Sequence, residues 1–496
     1  MRRPTRPGKP ERRLSWCARC RAGTHRPRSA RSRGDIKRVA RRVVVLGGGP
    51  AGDVAALRAA QLGAEVTLVE RAHLGGTCLN WGCIPTKSLL AGADLLRKMR
   101  HAADFGIDIP EPKIDFTRMM ARKEEIVVKQ RNGVEAACKR KHVTVVRGEG
   151  TIEGDAVVVA GARHEFDVCI AAVGTEPSAL PGIDMTHPNV LTSNGVLRLA
   201  ALPRDMLILG GGVIGCEYAS LFAALGTKVT IVEVLPRILA PLDQRAADYF
   251  QQFLRKDGVE IMTTRRLDAI LDYGKDGAPL RARLDDGTTL AADKLLISIG
   301  RTPQTRGIGL EQAGAEIDER GNIIVDDHLR TGNPKMYAVG DCIGGLQLAH
   351  KASAEGGRAA ENALGHDVAP MDWTVVPSCI YTHPEIAMVG LNADAAKTGG
   401  FEVRAGQARF LGSGKALAEG EPDGYANIVA DAKTDRILGA TIIGIHAVEM
   451  IHEIAVAMSD GLTMDELGSI IHAHPTVSEM VMDAAQQGER VAPYLS

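Results

Sequence analysis

The chain has no run of about 18 or more apolar residues, the length a helix needs to span a bilayer, and its first forty residues lack the apolar core of a secretory signal. Neither a membrane protein nor an exported one is supported, and a soluble protein is expected. A compact, even set of cysteines is also missing. Nine are scattered over 496 residues, which argues against a disulfide-stapled scaffold and for reduced thiols in a cytoplasmic compartment. The body of the chain has no excess of positive charge either. Residues 1–42 hold sixteen Lys and Arg against Glu11 and Asp35, while the whole chain is formally neutral, so the remainder is acidic by the same margin. A folded body without a basic footprint is not expected to bind nucleic acid.

Aromatic residues are scarce at 4%, whereas glycines number 55 and fall in clusters. At roughly 150 residues per domain the length predicts three or four domains. Residues 1–40 are rich in Arg, Pro and Ser, a composition that buries too little apolar surface to offset the entropy of ordering, and a disordered tail is expected there. Cys17 and Cys20 within it make half a zinc site with only His25 nearby, so no metal is expected. Three readings of the tail stand: an organelle-targeting segment (placing the protein in an organelle matrix), a nucleic-acid-binding arm, or residues ahead of a later true start. The last is favoured.

From Arg42 the pattern changes to strand, glycine turn, helix and strand: VVVLGGGPAG, an Ala- and Leu-rich run to Leu62, then AEVTLVE ending at Glu70. The design recurs at Met206, where MLILGGGVIGCEYASLFAALG leads into TKVTIVE ending at Glu233. Two βαβ units are expected, an internal duplication of nucleotide-binding modules. Short β-rich runs fill His142–Gly174, and after Asp372 a strand-rich segment gives way to helical patterns. In the first unit Gly47, Gly49 and Gly52 have the G-x-G-x-x-G spacing that lets backbone amides approach a pyrophosphate at a helix start, with Glu70 placed for a ribose. Gly210, Gly212 and Gly215 repeat it around Val213 and Ile214, with Glu233 at the ribose position. Two dinucleotides are implied. At the second site a 2′-phosphate about 4 Å from Glu233 would be opposed by about 4 kcal/mol per charge pair at an effective dielectric near 20, which favours NAD over NADP. Arg237, four positions on, complicates that argument.

Directly after the first unit comes Gly75-Gly76-Thr77-Cys78-Leu79-Asn80-Trp81-Gly82-Cys83-Ile84-Pro85-Thr86-Lys87. The spacing permits a small disulfide loop, and Pro85 with the run after it predicts a helix start at Cys83, where backbone amides favour a thiolate. Zinc ligands or two inert buried thiols are the bland alternatives, and no companion Cys/His pair at zinc spacing supports the first. Near the C-terminus, His472-Ala473-His474-Pro475-Thr476-Val477-Ser478-Glu479 offers what thiol–disulfide exchange needs, a histidine base with a carboxylate to orient it.

The segment GGTCLNWGCIPTKSLL resembles the redox-active motif of the class I pyridine nucleotide-disulfide oxidoreductases, and the likeness runs from about Arg42 to the end. The resemblance implies FAD and NAD as cofactors and a catalytic set of Cys78 as interchange thiol, Cys83 facing the flavin, Lys87 near flavin N5, Glu217 as its ion partner, His474 as base and Glu479 as its orienting carboxylate. For FAD it implies Gly47, Gly49, Gly52, Glu70, Gly76, Thr77, Lys87, Gly150, Ala172, Gly174, Asp341, Gln347, Leu348, Ala349 and His350. For NAD it implies Gly210, Gly212, Val213, Ile214, Gly215, Glu233 and Gly300, with Gly300-Arg301 closing that domain.

The sequence QLAH at 347–350 and the paired histidines of HAHPT are similar to those of the lipoamide-acting members, and VAPYLS at the end lacks the cysteine pair of other branches. The implied activity is oxidation of protein-bound dihydrolipoyl groups, with reduction of another small disulfide as the alternative. In this family the histidine serves the other subunit's cysteines, so a homodimer is implied. No lipoyl domain precedes Arg42, so a lipoyl-bearing subunit or domain of a 2-oxoacid dehydrogenase or glycine cleavage complex is the expected partner. Asp53 and Trp81 depart from the family pattern. The expected class is α/β: two Rossmann-like FAD and NAD domains plus a C-terminal α+β dimerisation domain. The expected segments are 41–176 and 301–372 for FAD, 177–300 for NAD and 373–496 for the interface.

Overall fold

The computed structural model describes residues 40–275, 277–366 and 368–487. The tail with Cys17 and Cys20 lies outside them. The first sheet is parallel, and its core is the β-branched strand Arg42–Leu46, flanked by Glu65–Glu70 and Val168–Ala171. Such strands, covered by helices on both faces, read as continuous apolar runs. The edge next to Val168–Ala171 is Met336–Ala338, in register at Met336 with Cys169 and at Ala338 with Ala171. The chain therefore leaves this sheet after residue 171, builds the second module, and returns to finish it.

The second sheet repeats the plan with Asp205–Leu209 between Lys228–Glu233 and Lys294–Ile297, and with Glu260–Thr263 and Val190–Leu191 outside them. In both sheets the strand preceding the glycine turn is central, so the carboxyl ends of the strands and the start of a helix converge on one point, where ligands bind in open α/β sheets. A third sheet is antiparallel, ordered Ser378–Ile380, Ile386–Gly390, Ile437–Ile443, Tyr425–Asp431, Val403–Arg409. Helices Ala447–Asp460 and Glu479–Gln486 pack on it with their buried apolar faces.

Small residues decide how closely the first module packs. Helix Pro50–Gln61 buries Ala51, Gly52, Ala55, Ala56 and Ala59, and it lies against helix Ala349–Ala363, which buries Ala352, Gly356, Ala359 and Ala360. A Cβ on Gly356 would stand 2.1 Å from the Ala51 carbonyl oxygen. That separation is far inside van der Waals contact, so only glycine permits this crossing. Among the described residues no helix is long and apolar enough to cross a membrane.

Candidate active site

The two glycine turns are near copies. Gly47 has φ +104°, and a Cβ there would meet the Ala172 oxygen at 2.3 Å; Gly210 has φ +101°, with the Ser298 oxygen at 2.5 Å. Helix Pro50–Gln61 starts from Gly49 and helix Val213–Ala224 from Gly212, and no side chain caps either start. A Cβ on Gly212 would meet nothing within 4 Å and one on Gly49 only Gly76 at 3.8 Å. Each helix thus presents uncapped amides to open space, a ready site for a pyrophosphate. Gly52 and Gly215 depart from the sequence reading. They do not line the cleft; they let the helix sit on its own turn, where a Cβ would lie 1.8 Å from the Gly47 oxygen and 2.0 Å from the Gly210 oxygen.

The acidic residues that close the two strands repeat as well. Glu70 accepts from the Gly48 amide at 2.7 Å and the Ala72 amide at 2.7 Å. Glu233 accepts from the Gly211 amide at 2.6 Å and the Leu235 amide at 2.8 Å. Arg237 is otherwise engaged: its guanidinium donates to Gln244 at 3.0 Å and to the carbonyls of Ala240 and Leu242 at 3.1 and 3.0 Å. It is therefore spoken for by its own loop, and the complication it posed for NAD falls away.

Both turns open into one cleft of about 1380 Å³. Lining it are Gly47, Gly49, Glu70, Gly76, Thr77, Gly150, Ala172, Gly174, Asp341, Gln347, Leu348, Ala349 and His350 on one side, and Gly210, Gly212, Val213, Ile214, Glu233 and Gly300 on the other. Its polar lining residues and paired glycine cradles fit two dinucleotides. Cys78, Cys83, Lys87 and Glu217 line the same cleft.

Cys83 is the first residue of helix Cys83–Arg100, as the sequence predicts, and Cys78 lies in the short helix Gly76–Trp81 before it. Both carry free thiols in this structure. Their acidities diverge. The hydrogen bond with Cys78 and then the nearby Lys87 ammonium, working against burial and Glu217, bring Cys83 down to about 7. The same hydrogen bond together with burial pushes Cys78 strongly up, so the pair holds one proton on Cys78 and favours the thiolate on Cys83. Lys87 donates to both carboxylate oxygens of Glu217 at 2.8 Å. The Tyr381 amide also donates to Glu217 at 3.0 Å, and the Lys87 ammonium stands 4.4 Å from the Tyr381 ring centre.

His474 and Glu479 sit apart from this cleft. Neither lines it. His474 Nδ1 is 2.9 Å from Glu479 Oε1, and the Thr476 amide donates to Glu479 Oε2 at 2.9 Å. Partial burial acts to raise the Glu479 carboxyl, but the Thr476 amide and His474 outweigh it and hold it below its ordinary value. The His474 side chain is 81% exposed, with Nε2 free of any hydrogen bond from the described residues. His472 behaves differently: its side chain is only 6% exposed and its Nε2 is 2.6 Å from Glu453.

Several contributors were not legible in sequence. Thr175 and Arg301 bridge to Asp341, and Lys351 and Glu355 form a buried pair at 2.7 Å, with Glu355 accepting from the Gly340 amide. Long-range packing creates the Thr175, Arg301 and Asp341 contacts, whereas Lys351 and Glu355 are one helical turn apart and packing only buries them. Of the two departures, Asp53 is pushed up to about 7 by burial, and Trp81 lines the cleft with its ring 5.9 Å from that of His73. Among the described residues no group of His, Cys, Asp and Glu is arranged to hold a metal.

Residues 41–356 match the profile of the pyridine nucleotide-disulphide oxidoreductases, and residues 376–485 match that family's dimerisation domain. The chain belongs to this family of FAD- and pyridine-nucleotide-dependent enzymes. Among curated relatives it is 41% identical over 459 residues to a dihydrolipoyl dehydrogenase of Bacillus subtilis, covering 89% of this chain and 97% of that one. It is 39% identical over 460 residues to the dihydrolipoyl dehydrogenase of Cupriavidus necator, with the same coverage, 89% and 97%. Among solved structures it is similar to LpdA from Mycobacterium tuberculosis (TM-score 0.85, 30% identity, 90% of this chain and 99% of that one). It is also similar to the HOCl-induced flavoprotein disulfide reductase RclA from Escherichia coli (TM-score 0.81, 30% identity, 90% and 99%).

Proposed function

We propose that the protein oxidises dihydrolipoyl groups to the lipoyl disulfide, with NAD⁺ as final acceptor, in a homodimer whose partner subunit supplies the base. The observation that carries this reading is the placement of two thiols, Cys78 and Cys83, with the Lys87–Glu217 ion pair on one cleft that joins two dinucleotide cradles. Cys78 keeps the proton and Cys83 favours the thiolate, which suits one sulfur to exchange with substrate and the other to hold charge beside a flavin.

In the oxidised enzyme Cys78 and Cys83 are joined as a disulfide. His474, oriented through Nδ1 by Glu479, takes the proton of one substrate thiol at Nε2. The substrate sulfur attacks Cys78, forming a mixed disulfide and releasing Cys83 as thiolate, which Lys87 stabilises. The second substrate thiol, deprotonated in turn, attacks the first substrate sulfur; the cyclic lipoyl disulfide leaves and Cys78 is left as the thiol. The substrate has lost two electrons and two protons: the electrons are on the cysteine pair, one proton is on Cys78 and the other is on His474. FAD held at the 47–49 turn and Asp341 would supply two-electron transfer from this pair to NAD⁺ held at the 210–212 turn and so return the cysteines to the disulfide. Lys87 and Glu217 keep the charge beside Cys83 compensated throughout, and Glu70 and Glu233 hold the glycine turns in shape.

The substrate we favour is a lipoyl group on a 2-oxoacid dehydrogenase or glycine cleavage subunit, in the cytoplasm; the likeness to proteins named dihydrolipoyl dehydrogenase supports the dihydrolipoyl part of this reading. The likeness to RclA favours a second reading, reduction of another small disulfide. The test is NAD⁺ reduction by dihydrolipoamide with the wild type, with Cys78→Ser and with NADP⁺. Activity with NAD⁺ that vanishes in Cys78→Ser supports the proposal; bound flavin without Cys78-dependent turnover of dihydrolipoamide overturns it.

A further inference from the structure

The strand Arg301–Pro303 pairs antiparallel with Thr175–Pro177, bringing the end of the second module onto the end of the first FAD segment. At this junction Arg301 Nε donates to Thr175 Oγ1 at 2.8 Å, and Nη2 donates to the Thr175 carbonyl at 2.8 Å and to Thr77 Oγ1 at 3.4 Å. A hydroxyl that accepts on one side directs its single proton elsewhere. Thr175 Oγ1 donates to Asp341 Oδ2 at 3.0 Å, and Thr175 is buried. Asp341 Oδ1 accepts no hydrogen bond from a described residue, and Asp341 lines the cleft.

We propose that Arg301 is a positioning residue for FAD. By donating to Thr175 Oγ1 it turns the threonine proton to Asp341 Oδ2 and leaves Asp341 Oδ1 open to bound FAD. The same guanidinium reaches Thr77, the residue before Cys78, so one group aligns the carboxylate that holds the cofactor with the helix that carries the interchange thiol. This rests on the assignment of FAD to this side of the cleft, and its readout is flavin affinity, which needs no substrate.

A lysine keeps the charge at this position, but its three N–H bonds leave one nitrogen and cannot span the separate Nε and Nη2 positions of the fork that serve Thr175 Oγ1, the Thr175 carbonyl and Thr77. The experiment measures FAD dissociation from the holoenzyme, by fluorescence of the released flavin, for wild type, Arg301→Lys, Thr175→Val, Thr175→Ser and the double variant Arg301→Lys/Thr175→Val. The expected result is a loss of affinity of about tenfold or more in Arg301→Lys and in Thr175→Val. Thr175→Ser should stay close to wild type, because it keeps the hydroxyl, and the double variant should be no weaker than the worse single one. Wild-type flavin retention by Arg301→Lys, an equal loss in Thr175→Ser and Thr175→Val, or full additivity in the double variant would overturn the proposal. Failure of the functional reading itself shows differently, as wild type that binds flavin but does not turn over dihydrolipoamide.

Discussion

Two thiols of the same chemistry are made unequal by what surrounds them. The Cys83 thiolate is favoured first by the hydrogen bond with Cys78 and next by the Lys87 ammonium, which Glu217 and the Tyr381 ring hold in place. Lys87→Met is therefore expected to move the Cys83 titration upward in the reduced protein, read from thiolate absorbance against pH, and to lower turnover by on the order of tenfold or more. An unchanged titration would remove Lys87 from this role. The cysteines were legible because they are neighbours in the chain and share a motif. Of the surroundings that separate their acidities, Glu217 was legible only through the family resemblance, since it lies 130 positions beyond Lys87, and nothing local in the sequence points to the Tyr381 amide that also anchors it.

At the scale of the element, the glycine turns are where backbone geometry leaves the sequence no choice. Gly47→Ala puts a methyl group at φ +104° and 2.3 Å from the Ala172 oxygen, so a loss of about 3 kcal/mol or more is expected, together with loss of flavin. Gly63→Ala, at φ +88° in open space, should cost only about 1–2 kcal/mol and keep the flavin. Denaturant titration and flavin absorbance together check both. Both βαβ units were readable because their pattern is short-range. The close crossing at Gly356 was not, since its partner Ala51 lies some 300 positions earlier.

The turn after strand Ser378–Ile380 supplies a second element-scale prediction. Burial, opposed by the Val448 amide and supported by Glu449 and Asp94, raises Glu385 to about 7 from an ordinary value of 4.5. The folded protein therefore holds this proton more tightly than the unfolded chain, so the associated stability is complete below 4.5 and is lost as pH rises through about 7. Melting temperatures across this range should fall less for Glu385→Gln than for wild type and coincide with it at the acid end; parallel curves would refute the assignment.

At the scale of the whole molecule, the proposed function makes one chain half a site. The cleft has its thiols and its cofactor cradles, while His474 stands exposed outside it with its carboxylate already in place. Cys78→Ser and His474→Gln should each be inactive alone. Reassociated in equal amounts they should regain about a quarter of wild-type activity, because half of the random dimers then carry one intact site of two. No recovery on mixing would mean that the site closes within one subunit. A further consequence follows from Glu233. On the proposed reading its carboxylate opposes a 2′-phosphate, and it is also the strut that ties the Gly211 amide to the Leu235 amide, with the Arg237 guanidinium already committed to its own loop. Coenzyme choice and loop order are thus written into a single side chain. An evolutionary path toward NADP would have to rebuild the scaffold of the turn before it gained anything from a new positive charge, and this makes the present coenzyme preference hard to reverse by single substitutions.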